Sequence, residues 1–255
     1  MRVVARLLLP LALPVVVFVA WWFLSAGSTS PYFPPLADSL EEFREVWLFD
    51  RFFSDLVPSV ARFLSGLVVG TLAGLVLGVL MGLQPRLRRD LAPVTEFVRA
   101  IPTAGLVPVA LLLFGAGYGM ETLLVAAAVF FPILVSTTDG VRSVDPVNVE
   151  VAKSYGLSPA QRLWRVIVPA ATPRILAGAR IALSIGLAAM VIANMLASSS
   201  GLGYVIIDAK TRFDLAAMWA GLLMIGVLGT LANAAFLLLQ RRLLGWHRGW
   251  RGATP

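Results

Sequence analysis

The chain has no cysteine, one histidine and few charged residues, 14% of 255. Without cysteine there is no disulfide framework and no thiolate metal site. The one histidine, His247, sits in a basic tail and is read as solvated. A metal centre or a membrane-embedded enzyme needs converging acids, imidazoles or metal ligands, and with one tail histidine, no cysteine and few carboxylates in the apolar runs neither is expected. A Gly-x-x-x-x-Gly-Lys-Ser/Thr phosphate loop is also missing, so the chain itself is not expected to bind or hydrolyse ATP. A soluble domain carries about 25% charged residues, whereas this chain is 58% hydrophobic with a mean hydropathy of +0.85. That composition predicts an integral membrane protein. The net charge of +7 would otherwise raise nucleic acid as a partner. In a membrane protein it reads instead as loop Lys and Arg that orient the spans.

What is present is a series of long apolar runs. A helix needs about 20 mostly apolar residues to cross the hydrocarbon. Runs at 6–25, 60–83, 92–114, 120–140, 175–197 and 215–239 meet that length, predicting an all-α protein with six transmembrane helices. The first run has a secretory leader as its alternative, because Arg2 and Arg6 precede it and Leu-Ser-Ala-Gly-Ser ends it. Its length favours a retained span. Fourteen Lys and Arg fall on the side of the termini and of the second and fourth connections, against four on the other side. Both termini are therefore expected in the cytoplasm.

Three segments follow: 1–57, an N-terminal span plus an external amphipathic stretch; 58–240, the transmembrane core; and 241–255, a basic cytoplasmic tail. In the external stretch, acids alternate with Leu40, Phe43, Val46, Trp47, Phe49, Phe52, Phe53 and Leu56. This predicts an amphipathic helix lying in the membrane interface, with a docking surface for an external partner as the alternative. Gly66, Gly70, Gly74, Gly78 and Gly82 recur every four residues. Such a stripe lets helix backbones approach closely, within the chain or across a dimer. No half of the chain repeats the other, so the internal repeat of many secondary transporters is absent.

Between the fourth and fifth runs lies a polar island, 145–173. Asp145-Pro146 is a helix start, Asp as N-cap and Pro at the first position. The helix is predicted to run to Tyr155 and to stop at Gly156 in the left-handed conformation. Ser158-Pro159-Ala160-Gln161 is a capping box opening a short helix with Leu163, Trp164 and Ile167, predicted to end before Pro169. About ten residues do not hold a helix alone in water, so its apolar side chains need something to pack on. Capping chemistry leaves the lipid surface and a partner's groove both open.

Glu150-Val-Ala152, then Gly156, then Ile167-Val-Pro169 resembles the EAA signature of the permease subunits of bacterial ABC importers. Val151 and Val168 stand where that family's pattern has Ala and Leu. Ser59-Val-Ala-Arg62-Phe-Leu-Ser-Gly66, Arg99-Ala-Ile-Pro102 through Pro108, Phe114-Gly-Ala-Gly117 and Ser199-Ser-Gly201-Leu-Gly203 resemble the nitrate/sulfonate/taurine-type branch. The resemblance covers nearly the whole chain. It implies a type I importer permease fold, with the island as a coupling helix seated in a cytoplasmic ATPase subunit. Glu150, Ala152, Gly156, Ser158, Leu163, Trp164, Ile167 and Pro169 would carry that docking. It also implies a second permease copy, two ATPase subunits that bind ATP and Mg, and an extracytoplasmic solute-binding protein delivering a small anionic solute. No cofactor is expected in this chain. An ion-coupled secondary transporter, or an ABC permease for a thiamine-precursor-like pyrimidine, are the alternative readings.

Polar residues inside spans are costly and mark function by default. Arg62, Arg99, Glu96, Arg180, Asn194 and Asn233 qualify. Arg62 and Arg180 also read as snorkelling, Glu96 and Arg99 as an i,i+3 pair, and Asn194 as a helix–helix hydrogen bond. Asn194 stands in a stretch where resembling permeases often carry an acid. Ser199 and Ser200 precede a glycine turn that reads first as a re-entrant or external loop cap, with N–H groups able to meet an anion as the alternative. Pro102 and Pro108 are expected to break the third span, and freed backbone at membrane depth must line a cavity or be buried in protein. Arg62, Arg99, Pro102, Pro108, Asn194, Ser199 and Ser200 are thus the candidates for the translocation path.

Overall fold

The computed structural model describes residues 2–30 and 32–245; His247, Arg248 and Arg251 lie outside them. Eleven α-helices order the described chain: α1 Arg2–Ser25, α2 Leu36–Glu45, α3 Val57–Leu83, α4 Pro85–Arg99, α5 Val107–Phe114, α6 Tyr118–Arg142, α7 Pro146–Ser154, α8 Pro159–Arg162, α9 Val168–Ala197, α10 Leu202–Thr211 and α11 Leu215–Leu243. Among the described residues, four continuous helices are long and apolar enough to cross a membrane: Phe52–Leu83, Tyr118–Arg142, Pro159–Ala197 and Leu215–Leu243. The expected third span is instead two helices, Pro85–Arg99 and Thr103–Phe114, bent by 87°. Pro102 sits at that break, where it has no N–H to continue a helix. Pro108 does not break anything; it occupies the first turn of α5, where its N–H is not needed. The first expected run falls on α1.

The chain divides into two compact units, one of Met1–Pro58 with Ser200–Val227, the other of Ser59–Ser199 with the chain from Leu228 onward. In the larger unit α6 is the central helix. The glycine stripe of α3 packs on it within the chain. A Cβ on Gly70 would lie 2.5 Å from the Ala126 carbonyl oxygen, and on Gly66, Gly78 or Gly82 it would lie 2.5–2.6 Å from the Cβ of Val125, Thr137 or Val141. Val125, Val129, Ile133, Thr137 and Val141 recur every four residues on α6 opposite the five glycines, so two i,i+4 rows interlock along the pair. On its other side α6 meets α9, where Gly140 lies against Ala171, Gly178 against Ser136, and Gly186 against Val129. Arg180 of α9 donates to the Asn233 side-chain oxygen of α11 at 3.3 Å.

The short helix expected to end before Pro169 does not end there. From Pro159 the chain is helical without a break to Ala197. A π-helical turn at Leu163–Ile167 passes the hydrogen bonding to i→i+5, the Val168 N–H reaching the Leu163 carbonyl. One extra residue in that turn offsets the missing donor of Pro169. Thr172 donates its hydroxyl to the Val168 carbonyl at 2.7 Å, beside the gap left by Pro173. The fifth span is thus continuous with the island rather than joined to it by a loop.

In the smaller unit, α2 leads through π-helical turns at Val46–Asp50 and Phe52–Leu56. The stretch is helical as expected, but it does not simply float in an interface: Trp47 is fully buried and Leu36 and Leu56 nearly so. Protein, not lipid, covers that side, while Leu48, Phe49 and Phe53 stay exposed. Ser25 accepts the Leu36 N–H at 3.0 Å. Trp21, Phe33 and Trp219 form one aromatic cluster with ring centroids 5.3–6.1 Å apart. Burial first, then the carboxylates of Asp214, Glu45 and Glu41, raise the pKa of Glu42.

Among the described residues, α7 and α10 end in the same motif. At the end of α7 Leu157 N–H bonds the Ala152 carbonyl and Gly156 N–H that of Lys153, a Schellman close with Gly156 at φ +73°. At the end of α10 Asp214 N–H bonds Ala209 and Phe213 N–H bonds Lys210, but the left-handed position holds Phe213 at φ +61°. A side chain there is strained, whereas glycine is not. Phe213→Gly is expected to raise stability by about 1 kcal/mol, read as a higher unfolding temperature in detergent; an unchanged or lower one would show the ring making up for the strain.

Candidate functional site

Most of the candidate residues among the described ones fall at three places. The first is the island. Asp145 accepts the Val147 N–H at 2.9 Å, and Ser158 and Gln161 form the reciprocal capping box at 3.3 and 2.9 Å. Caps at both starts and the Gly156 stop fix two helices at a defined angle. The island is anchored from within: Ile167 packs with Val141 and Ala171, joined by Leu163, Val149 and Val79, and Ala152 is buried. These residues hold the island on the spans. Facing away are Val147, Val151 and Tyr155, four residues apart, with Tyr155 81% and Trp164 68% exposed. Glu150 pairs with Lys153 at 2.6 Å on the surface.

The second is a buried polar cluster in the larger unit. Glu121, in the first turn of α6, is fully buried. Its carboxylate accepts Arg62 Nη1 at 2.7 Å, the Ser198 hydroxyl at 2.6 Å and Asn194 Nδ2 at 2.6 Å. Asn194 in turn accepts the Ser59 hydroxyl at 3.1 Å. Helices α3, α6 and α9 are tied at one end by this network. Arg62 therefore does not snorkel. It neutralises a carboxylate that the apolar surroundings would otherwise not tolerate. Asn194 stands where resembling permeases often carry an acid, and here the carboxylate beside it comes from Glu121.

The third is an open cavity of ≈ 420 Å³ in the larger unit, where Arg99, Ile101 and Thr103 at the break of α4 face α6 and α9. Arg99 and Glu96 pair at 2.6 Å. Pro102 and Pro108 are exposed beside the cavity but do not line it.

The glycine turn after Ser199 and Ser200 is already taken. The Gly201 N–H donates to the buried carboxylate of Asp55 at 2.6 Å, and Arg51 holds the other oxygen at 3.3 Å. The chain supplies its own anion there, at the start of α10.

Residues 70–245 match the family described as binding-protein-dependent transport system inner membrane component. The chain belongs to this family. It is 32% identical to the taurine transport system permease protein TauC of Escherichia coli (strain K12), over 91% of this chain and 87% of that one. It is 32% identical to SsuC of Bacillus subtilis (strain 168), named for aliphatic sulfonates transport, over 95% and 88%. Among solved structures it resembles a chain of the inward-facing MetNI methionine ABC transporter, with a TM-score of 0.67 and 17% identity over 78% of this chain and 97% of that one. The fold is that of a type I ABC importer permease, and the chain is a multi-pass ABC importer permease subunit. An ion-coupled secondary transporter is not favoured.

Within a binding-protein-dependent permease the predicted residues divide by position. Trp164 is displayed outward, while Ala152, Leu163 and Ile167 face the chain. Arg62 and Asn194 meet in the buried cluster and Arg99 at the cavity. Sequence reading missed Glu121 and Asp55. The signal for Glu121 was Arg62 itself, a cation in a span with no acid assigned to it.

Proposed function

We propose that this permease forms the translocation path for a small organic anion of the sulfonate class, works as a homodimer with both termini cytoplasmic, and takes its power stroke through the island at 145–173. ATP and Mg would be bound by partner ATPase subunits and solute delivered by an extracytoplasmic binding protein. The observation that carries the coupling reading is the island's two-sidedness: Ile167, Leu163 and Ala152 are fixed to the spans while Val147, Val151, Tyr155 and Trp164 stand uncovered. Its helix runs unbroken from Pro159 to Ala197. A push on Trp164 is therefore delivered along one rigid rod into the fifth span. The named relatives' taurine and sulfonate transport supports the substrate class.

Trp164→Asp puts a charge on the displayed face, and Gly156→Glu forces a side chain into a left-handed position at a cost of about 1–2 kcal/mol. Each is expected to lower ATPase-subunit co-purification at least about ten-fold, the scale of one lost central interface anchor, and ATP-driven uptake with it. Full association and uptake in both variants would remove the island from the coupling path.

A further inference from the structure

The cavity at the α4 break has an unusual wall. Among the described residues lining it, Arg99 is the one charged side chain. Thr103 and Ser136 bring hydroxyls, and the remainder is aliphatic or aromatic, Phe131, Val135 and Ile185 among them. Its ≈ 420 Å³ falls in the range of small-molecule sites, roughly 300–1,000 Å³. Arg99 is held by Glu96 one turn back at 2.6 Å, with both side chains about half exposed.

That pairing is weak by construction. An exposed i,i+3 pair gains little over its solvated partners. A guanidinium offers a planar fork that suits a tetrahedral or planar oxyanion with two parallel hydrogen bonds. A ligand oxyanion therefore competes with Glu96 on favourable terms. An inorganic anion such as nitrate would use Arg99 alone and leave the apolar walls unsatisfied. A ligand with an alkyl tail uses both.

We propose that this cavity is a substrate station within the spans for a single sulfonate-type oxyanion on an alkyl chain, with Arg99 reading the headgroup and Glu96 as the built-in competitor it displaces. The proposal rests on the permease reading above and adds to it a site in this chain that selects amphiphilic over inorganic anions.

The test is equilibrium dialysis of radiolabelled hexanesulfonate against the assembled importer in phosphatidylcholine nanodiscs, without binding protein. Affinity is expected to rise about four-fold per added methylene from ethane- to hexanesulfonate, with nitrate a poor competitor. Arg99→Gln is expected to weaken binding at least about ten-fold, the scale of a charge-assisted hydrogen-bond pair. Arg99→Lys, which keeps the charge and guards against a folding artefact, recovers part of it, and Glu96→Gln tightens it several-fold. No binding by wild type, equal binding by Arg99→Gln, no gain in Glu96→Gln, or nitrate competing as well as hexanesulfonate each overturns the proposal. So does loss of hexanesulfonate binding in phosphatidylglycerol discs, which would assign the cavity to a lipid headgroup. ATP-driven uptake by wild-type proteoliposomes reports on the permease reading separately, and succeeds even where the cavity binds nothing.

Discussion

Glu121→Ala is expected to destabilise the permease by about 3–5 kcal/mol, the cost of breaking one partner out of a buried ion pair. The carboxylate has no exposed surface, and it is the shared acceptor for Arg62, Asn194 and Ser198. Without it Arg62, only 13% exposed, loses the carboxylate that it pairs with at 2.7 Å. Asn194 loses the acceptor of its amide, and its own oxygen is left holding Ser59 alone. Glu121→Gln keeps the shape but presents an amide N–H towards one of three donors, so it falls between wild type and alanine. The paired variant Arg62→Met with Glu121→Met removes both charges at once and is expected to recover most of the loss. Thermal unfolding in detergent orders the four proteins. Glu121→Ala no worse than the paired variant would mean that the network does not hold the three helix ends together.

Gly70→Leu is expected to be at least as damaging, for a steric reason. Even the first added carbon would lie 2.5 Å from the Ala126 carbonyl oxygen and 3.0 Å from Ala126 Cα. Those are backbone atoms and have no rotamer to escape into, so α3 and α6 must separate. Overpacking of side chains costs about 1–3 kcal/mol; displacing a helix backbone sits at or above the top of that range. Gly70→Ala should already show it. Gly226 in α11 is the contrast, since an added Cβ meets nothing within 4 Å and alanine is the better helix former by about 1 kcal/mol. Unfolding temperature and yield of folded protein read the series. If Gly70→Ala and Gly226→Ala behave alike, the stripe is not a packing seam.

Local signals were legible where the physics is local. Asp145, Gly156 and Ser158 announce their caps through chemistry that spans three or four residues, and each makes the hydrogen bonds its type predicts. The α3 stripe shows its period directly, though its partner on α6 does not. Long-range polar contacts were not legible: Glu121 meets Arg62 across 59 positions and Asn194 across 73. A lone acid near a helix start reads as a first-turn residue, and only the requirement that Arg62 be neutralised points to it. Asp55 hid in the same way, among surface acids, until Gly201 came to meet it. Pro169 misled because a proline usually ends a helix; the chain instead runs through a π turn at Leu163–Ile167, which no local pattern announces. Helix α10 was missed because ten residues after a glycine turn look like a loop or cap.

The central claim is that this chain moves solute only when an ATPase drives it through the island. The direct measurement is uptake of labelled sulfonate into proteoliposomes holding the permease with or without its ATPase subunits, with loaded binding protein outside and ATP inside. The account predicts uptake that requires both the ATPase subunits and hydrolysable ATP, and that an imposed proton or sodium gradient does not replace. Gradient-driven uptake by the permease alone would contradict it.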